Sequence, residues 1–131
     1  MGFFDLFRSK SKSEKLSHIK GLLALALADG KLEDNELAAL AAVCAREGVD
    51  EKEFKKLLND PDSVKFVVPK EEEKKMLYLK DMVLMMMCDG EINENEFVLC
   101  KLVAESLGYP HEMVDALVLR VIDELKREMN R

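Results

Sequence analysis

An ungapped internal repeat is the feature of this 131-residue sequence that most restricts its fold. Residues 29–48 (DGKLEDNELAALAAVCAREG) align with residues 89–108 (DGEINENEFVLCKLVAESLG) at an offset of 60, with matching Asp, Gly, Asn, Glu, Val and closing Gly. The patterns before and after each segment also correspond in type, so the repeating unit is predicted to be three helices. We therefore expect two three-helix units that pack with approximate twofold symmetry.

Apolar side chains recur at three- and four-residue spacing, which is typical of helices with one buried face. Glycine and proline mark the helix ends, and both are scarce in the sequence, as are aromatic residues. We predict an all-α fold, a compact bundle of about six to seven helices. A single domain at 15–131, with repeat halves at about 16–60 and 69–128, follows a flexible segment at 1–14. The predicted helices span about 16–28, 34–47, 50–58, 69–88, 94–107 and 110–128.

Each Asp-Gly junction has the residues of a helix stop followed by a helix start. Gly30 and Gly90 can adopt the positive φ that ends a helix. Asn93 is placed to cap the next helix, and the Glu96 carboxylate can reach back to the cap backbone. In the first half, Glu33 and Glu36 occupy the same places.

An EF-hand is excluded although Asp-Gly followed by Glu resembles the second half of a calcium loop. The first and third loop positions would be Leu25 and Leu27 in one copy, and Met85 and Met87 in the other. None of these side chains offers an oxygen ligand.

The stretches from Ala28 to Glu36 (ADGKLEDNE) and from Cys88 to Glu96 (CDGEINENE) resemble the junctions of the TerB-like family, which is named for a bacterial tellurite-resistance protein. The resemblance covers about residues 16–128, and Cys88 departs from the alanine usual before the second Asp-Gly. It implies a compact helical fold, no established reaction, association with envelope stress responses, and acidic junction residues that bind a divalent metal.

The candidate metal ligands are the four junction carboxylates Asp29, Glu36, Asp89 and Glu96. Carboxylate oxygens suit hard cations, so calcium, magnesium or manganese is the expected ion if the two junctions converge. The alternative is that the aspartates close turns and the glutamates cap helices, which accounts for all four residues without a cofactor.

Met82, Met85 and Met86 are candidate partner-binding residues, since thioethers adapt to varied apolar surfaces. They would give the chain the role of a protein-interaction module. The alternative is that these methionines form part of the core, as a methionine stripe at helical spacing usually does.

The first residues (MGFFDLFRSKSKSEK) place an apolar patch ahead of a basic stretch. Phe3 and Phe4 are therefore candidate contact residues, and peripheral contact with an anionic membrane is one interpretation of the segment. The alternative is that the aromatic residues dock on the protein's own core or on a second copy. The myristoylation pattern fails because Leu6 stands where serine or threonine is expected.

Composition and motifs exclude several function classes. The net charge of −6 argues against nucleic-acid binding, which requires a basic surface. No phosphate loop, dinucleotide fingerprint or nucleophile motif accompanies His18 and His111, which we expect at the surface, so no enzyme is predicted. Without a secretory leader, and with Cys44, Cys88 and Cys100 expected as reduced thiols, the protein is expected in the cytoplasm. We predict a non-catalytic binding or scaffolding protein with an unknown protein partner.

Overall fold

A computed structural model describes the backbone of residues 3–28, 30–88 and 90–131, and the side chains from Lys12 onward within those ranges. Within these ranges the chain is 75% helical and has no strand, which confirms the predicted all-α bundle of about six helices. The helices are α1 (Phe3–Ala26), α2 (Asp34–Glu47), α3 (Glu51–Asn59), α4 (Glu72–Met87), α5 (Glu94–Ser106) and α6 (Glu112–Met129), with a 3-10 turn at Pro61–Ser63 between α3 and α4.

The helix caps account for the accuracy of the predicted boundaries. At the start of α2, the side chains of Glu33 and Glu36 form a capping box with each other's backbone amides. At its end, Gly48 adopts φ 72°, a left-handed conformation that lets the last carbonyls find partners. At the start of α5, the side-chain oxygen of Asn93 accepts hydrogen bonds from the amides of the second and third residues that follow it.

The two central helices, α1 and α4, lie side by side and run in the same direction. The Glu14 carboxylate is 3.5 Å from the Lys74 ammonium, and the ring of His18 stacks on that of Tyr78 with centroids 3.8 Å apart. Both contacts join residues that are 60 positions apart in the sequence, which is the offset of the repeat.

Helix α4 contributes the largest share of the core because α1, α5 and α6 all pack against it. Met82, Met85 and Met86 are 2%, 3% and 0% exposed. For Met82 and Met86 the prediction of a partner-binding surface is therefore wrong, since other helices pack over α4 and enclose them. Met85 is also almost fully buried, but it contributes to the lining of a surface hollow between α2 and α4. Their flexible thioethers fill the irregular space between the helices.

Helix α1 begins at Phe3, well before the predicted start near Leu16. The side chains of Phe3 and Phe4, which were predicted as contact residues, lie outside the described ones. By the offset of 60, the first residue of α4, Glu72, corresponds to Lys12. The nine residues of α1 that precede Lys12 therefore extend it by about 13 Å beyond the matching start of α4.

No helix in the described part of the chain combines the length and the apolar character that crossing a bilayer demands. Helix α1 is long, but charged residues are spread along it. Helices α1, α4 and α5 pack against one another in the core.

Candidate functional site

The two junctions place their equivalent glutamates, Glu36 and Glu96, in the interior of the protein. Gly30 and Gly90 have φ of 86° and 83°, as the sequence predicted for a helix stop. Glu36 and Glu96 are 3% and 5% exposed. One carboxylate oxygen of Glu36 accepts a hydrogen bond of 3.0 Å from the backbone amide of Glu33, so this residue serves as a helix cap.

The predicted four-carboxylate metal site is only half covered by the structure. Asp29 and Asp89 lie outside the described residues. Among the residues whose side chains are described, no three histidine, cysteine, aspartate or glutamate side chains gather closely enough to hold a metal ion. The four-carboxylate metal site stays a prediction.

A buried polar network in the centre of the protein was not predicted. His18 was expected at the surface, but it is 7% exposed, and its Nε2 atom is 2.7 Å from Oδ2 of Asp81. Its ring is nearly parallel to that of Tyr78, with an interplanar angle of 7°. The surface prediction for His18 is wrong because its partners lie on a helix 60 residues further along the chain, which a local pattern does not reveal.

Asp81 is the centre of this network, which links α1, α2 and α4. The Arg46 guanidinium donates to both Asp81 oxygens, at 2.9 and 2.5 Å. Burial opposes ionisation of the Asp81 carboxyl, but hydrogen bonds from Arg46 and His18 outweigh burial and hold its pKa below the usual value. The Tyr78 hydroxyl donates to Glu47 at 2.6 Å, and burial together with this bond raises the pKa of Tyr78.

The arrangement of these groups suits a structural cross-link. A hydrolase would also pair histidine with aspartate, but it would direct the other side of the ring at a nucleophile. Here the adjacent Ser17 hydroxyl donates to the carbonyl of Val67 and accepts from its amide, at 3.3 and 2.7 Å. Both Asp81 oxygens are engaged by Arg46. His111, in contrast, is exposed as predicted and pairs with Glu105 at the surface.

An apolar surface feature lies around Leu84 on α4, which is 43% exposed. A hollow of about 390 Å³ opens on the side of Leu84 that faces α2. A second hollow of about 380 Å³ opens on the side that faces α6. We call the two hollows and the leucine between them the Leu84 groove. Its apolar lining consists of Ala39, Ala42, Val43, Leu84, Met85, Val121 and Leu125.

Charged side chains border the Leu84 groove at both ends. Arg46 and Asp81 close the hollow next to α2, so the polar network reaches the surface there. Glu124, Arg127 and Glu128 line the hollow next to α6. An apolar centre with a polar border is the usual composition of a protein-binding surface.

The sequence contained two signals for this groove, the alanine-rich face of α2 and the leucine at position 84, but neither identified it alone. The TerB-like resemblance rests on the junction residues.

Comparison with protein-family models, with curated proteins and with solved structures finds no match for this chain.

Proposed function

We propose that this chain is a non-catalytic binding and scaffolding protein of the TerB-like type, and that its Leu84 groove receives the apolar face of an amphipathic helix from a partner protein. The observation that carries this proposal is the pair of apolar hollows on either side of the half-exposed Leu84. Exposed apolar area that is concentrated in one place and bordered by polar groups is a common mark of an interaction site.

A helix fits the shape of the groove better than an extended strand does. Side chains three or four residues apart on a helix lie about 5–6 Å from each other on one face. Two such side chains could enter the two hollows while Leu84 packs between them, which is how ridges and grooves interlock when helices cross. The groove is lined by side chains of helices and offers no sheet edge for strand pairing.

The border charges support an occupant that is recognised mainly by its apolar face. Glu124 lies 3.8 Å from Lys80 of α4, and Arg127 lies 3.1 Å from Asp123 on its own helix. Arg46 is bound to Asp81. Because these charges are already paired within the protein, we expect the affinity for the partner helix to change little with salt.

The test is an amide-resolved NMR titration with two synthetic helical peptides, one that presents leucines on a single face and one with the same composition in scrambled order. We expect the patterned peptide to shift the amides around Leu84, Ala42 and Leu125. The variants Leu84→Glu and Leu125→Glu should abolish these shifts. Leu119→Glu is the matched control, since Leu119 is 67% exposed and does not line the groove.

Two results would overturn the groove proposal. Equal shifts with both peptides, or shifts that survive Leu84→Glu, would mean that the groove is not the binding surface. A dimer in sedimentation analysis that Leu84→Glu dissociates would identify a second copy of the chain as the occupant.

A divalent-metal site at the junctions is a second candidate, and the observation that favours it is the matching burial of Glu36 and Glu96. Carboxylate oxygens are the ligands that hard divalent cations prefer. Titration of the metal-stripped protein with calcium, magnesium and manganese tests it. Saturable shifts at both junctions, lost in Asp29→Asn and in Asp89→Asn, would support a shared site. The absence of shifts at millimolar metal would leave the glutamates as helix caps.

We place the protein in the cytoplasm. Cys44, Cys88 and Cys100 form no disulfide with one another, which suits a reducing compartment. A role in envelope stress rests on the family resemblance alone, so it forms no part of the experiments above.

A further inference from the structure

A cavity of about 30 Å³ lies between α1, α4, α5 and the connector at 64–69, which joins the two repeat units. We call it the Gly21 cavity. The connector lies across one side of it and is held to α1 by the two hydrogen bonds between Ser17 and Val67. The apolar walls of the cavity include Gly21, Phe66, Val67, Met82, Val103 and Leu107.

The Gly21 cavity occupies the place in one half of the repeat that the polar network occupies in the other. By the offset of 60, Gly21 corresponds to Asp81 and Leu107 corresponds to Glu47. Asp81 and Glu47 belong to the network on the α2 side, whereas Gly21 and Leu107 line the cavity on the α5 side. A glycine therefore stands where the central aspartate of the network would be, and the missing side chain leaves space.

The stack of His18 on Tyr78 separates the cavity from the network. These two residues are 60 positions apart, so they are equivalent in the two halves and lie beside the axis that relates them. Nε2 of His18 contacts Asp81 on the network side, and the Tyr78 hydroxyl donates to Glu47 on the same side. The hydrogen-bonding atoms of both rings thus serve the network, and the rings present mainly carbon to the cavity.

The lining decides what kind of molecule the Gly21 cavity can take. Its volume exceeds the roughly 10–15 Å³ that one water needs, but a water there would lack the two to four polar partners it requires. Cavities with apolar walls take apolar occupants instead. A dry cavity that holds an aromatic ring measures about 150 Å³, about five times more, so a narrow aliphatic chain is the shape that fits.

Phe66 marks the entrance to the Gly21 cavity. Its side chain is 54% exposed, whereas Met82 and Leu107 on the inner walls are buried. Exposed side chains change rotamer within picoseconds to nanoseconds. A narrow molecule can therefore enter past Phe66 while the helices stay packed.

We propose that the Gly21 cavity binds the aliphatic end of a small molecule, such as an alkyl or acyl chain, while the polar end of that molecule stays in the solvent beside the connector. The chain end would pass Phe66 and pack against Met82, Val103 and Leu107. The Leu84 groove lies elsewhere, between α4, α2 and α6. This inference therefore goes beyond the proposed helix-binding function and does not depend on it.

Methyl-resolved NMR of the full-length protein, titrated with straight-chain alcohols from ethanol to 1-hexanol, tests the proposal. We expect saturable shifts at the methyl groups of Met82, Val103 and Leu107. Affinity should rise about fourfold for each CH₂ group that enters the cavity, and it should stop rising once the cavity is full. Phe66→Ala should extend this rise to longer alcohols because it widens the entrance.

Gly21→Ala is the variant that fills the cavity. The added methyl group would lie 3.9 Å from Sδ of Met82, which also lines the cavity. We expect it to exclude one or two CH₂ groups and to weaken binding about 4- to 16-fold. Alanine favours a helix interior over glycine, so a loss of binding would not reflect unfolding. Ser13→Ala is the matched control, since Ser13 is exposed on the same helix and does not line the cavity.

Several results would overturn the cavity proposal. One is the absence of saturable shifts in the wild-type protein, and another is unchanged binding in Gly21→Ala. Shifts that grow linearly with alcohol over the whole surface would indicate a solvent effect only. Shifts that Leu84→Glu abolishes would assign the alcohols to the groove, whereas full binding in Leu84→Glu would support a separate site.

Discussion

Replacing Asp81 with asparagine tests whether the buried network holds the helices together. The carboxylate accepts one hydrogen bond from His18 and two from Arg46. Hydrogen bonds to charged groups contribute about 1.5–3 kcal/mol each. Asparagine keeps one acceptor oxygen, and the Arg46 side chain is 38% exposed, so water replaces part of what it loses. We therefore expect Asp81→Asn to lower the free energy of unfolding by about 2–4 kcal/mol.

Urea denaturation followed by circular dichroism measures this loss, and Asp123→Asn is the matched control. Asp123 also pairs with an arginine, at 3.1 Å, but it is 61% exposed. Its replacement should change stability by no more than about 0.5 kcal/mol. If Asp81→Asn cost as little as Asp123→Asn, the network would not be a structural cross-link, and a functional reason for its burial would be needed.

The difference between wild type and Asp81→Asn should also depend on pH. Because the folded protein holds the pKa of Asp81 below its ordinary value, ionisation of this group favours the folded state. Its contribution is complete above the pKa of an unfolded aspartate, about 3.9, and is lost as the pH falls through the lower folded pKa. Denaturation curves from pH 7 down to the acid range should therefore converge for the two proteins. Curves that diverge on acidification would contradict the assignment.

Three further predictions concern the junctions, the core and the thiols. Gly30→Ala should lower the free energy of unfolding by about 1–2 kcal/mol, because φ is 86°, a left-handed conformation that L side chains disfavour, although no atom lies within 4 Å of the added methyl group. Gly21→Ala, inside α1, should instead raise the free energy of unfolding by about 0.5–1 kcal/mol. Thermal melts distinguish the two variants. Met86→Ala should lower the free energy of unfolding, measured by urea denaturation, by about 2–5 kcal/mol, because Met86 is fully buried. Burial raises the pKa of Cys100 to about 12, so iodoacetamide should modify the partly exposed Cys88 first and Cys100 only after unfolding; equal rates by mass spectrometry would contradict this order.

Local chemistry allowed most of the fold to be predicted. The bounds of α2 follow from the capping box of Glu33 and Glu36 and from the glycine stop at Gly48, all within one short stretch of sequence. The start of α5 follows in the same way from Asn93. Signals of this kind are contained in neighbouring residues, so one sequence is enough to read them.

The errors arose wherever burial depended on distant parts of the chain. Apolar periodicity describes a helix with one buried face, but α4 is covered by three other helices, so Val83 and Met85 are both interior although they lie on different faces. His18 is polar in the sequence and buried in the fold because Asp81 and Arg46 compensate it. The start of α1 was placed too late because residues 8–15 (RSKSKSEK) are polar or charged and give no apolar periodicity.

The two halves of the repeat differ in sequence at the Leu84 groove. Position 84 of α4 corresponds to Ala24 of α1, and position 102 of α5 corresponds to Ala42 of α2. In the pair α1 and α5, the central helix α1 therefore carries the small residue, Ala24, and the outer helix α5 carries the leucine, Leu102. Between α4 and α2 the order is reversed, and Leu84 with Ala42 leaves an open hollow. The fold does not require this exchange of alanine and leucine, because the shared helix junctions specify the same architecture in both halves. The exchange therefore bears on the surface and not on the fold, which agrees with a binding role for the Leu84 groove.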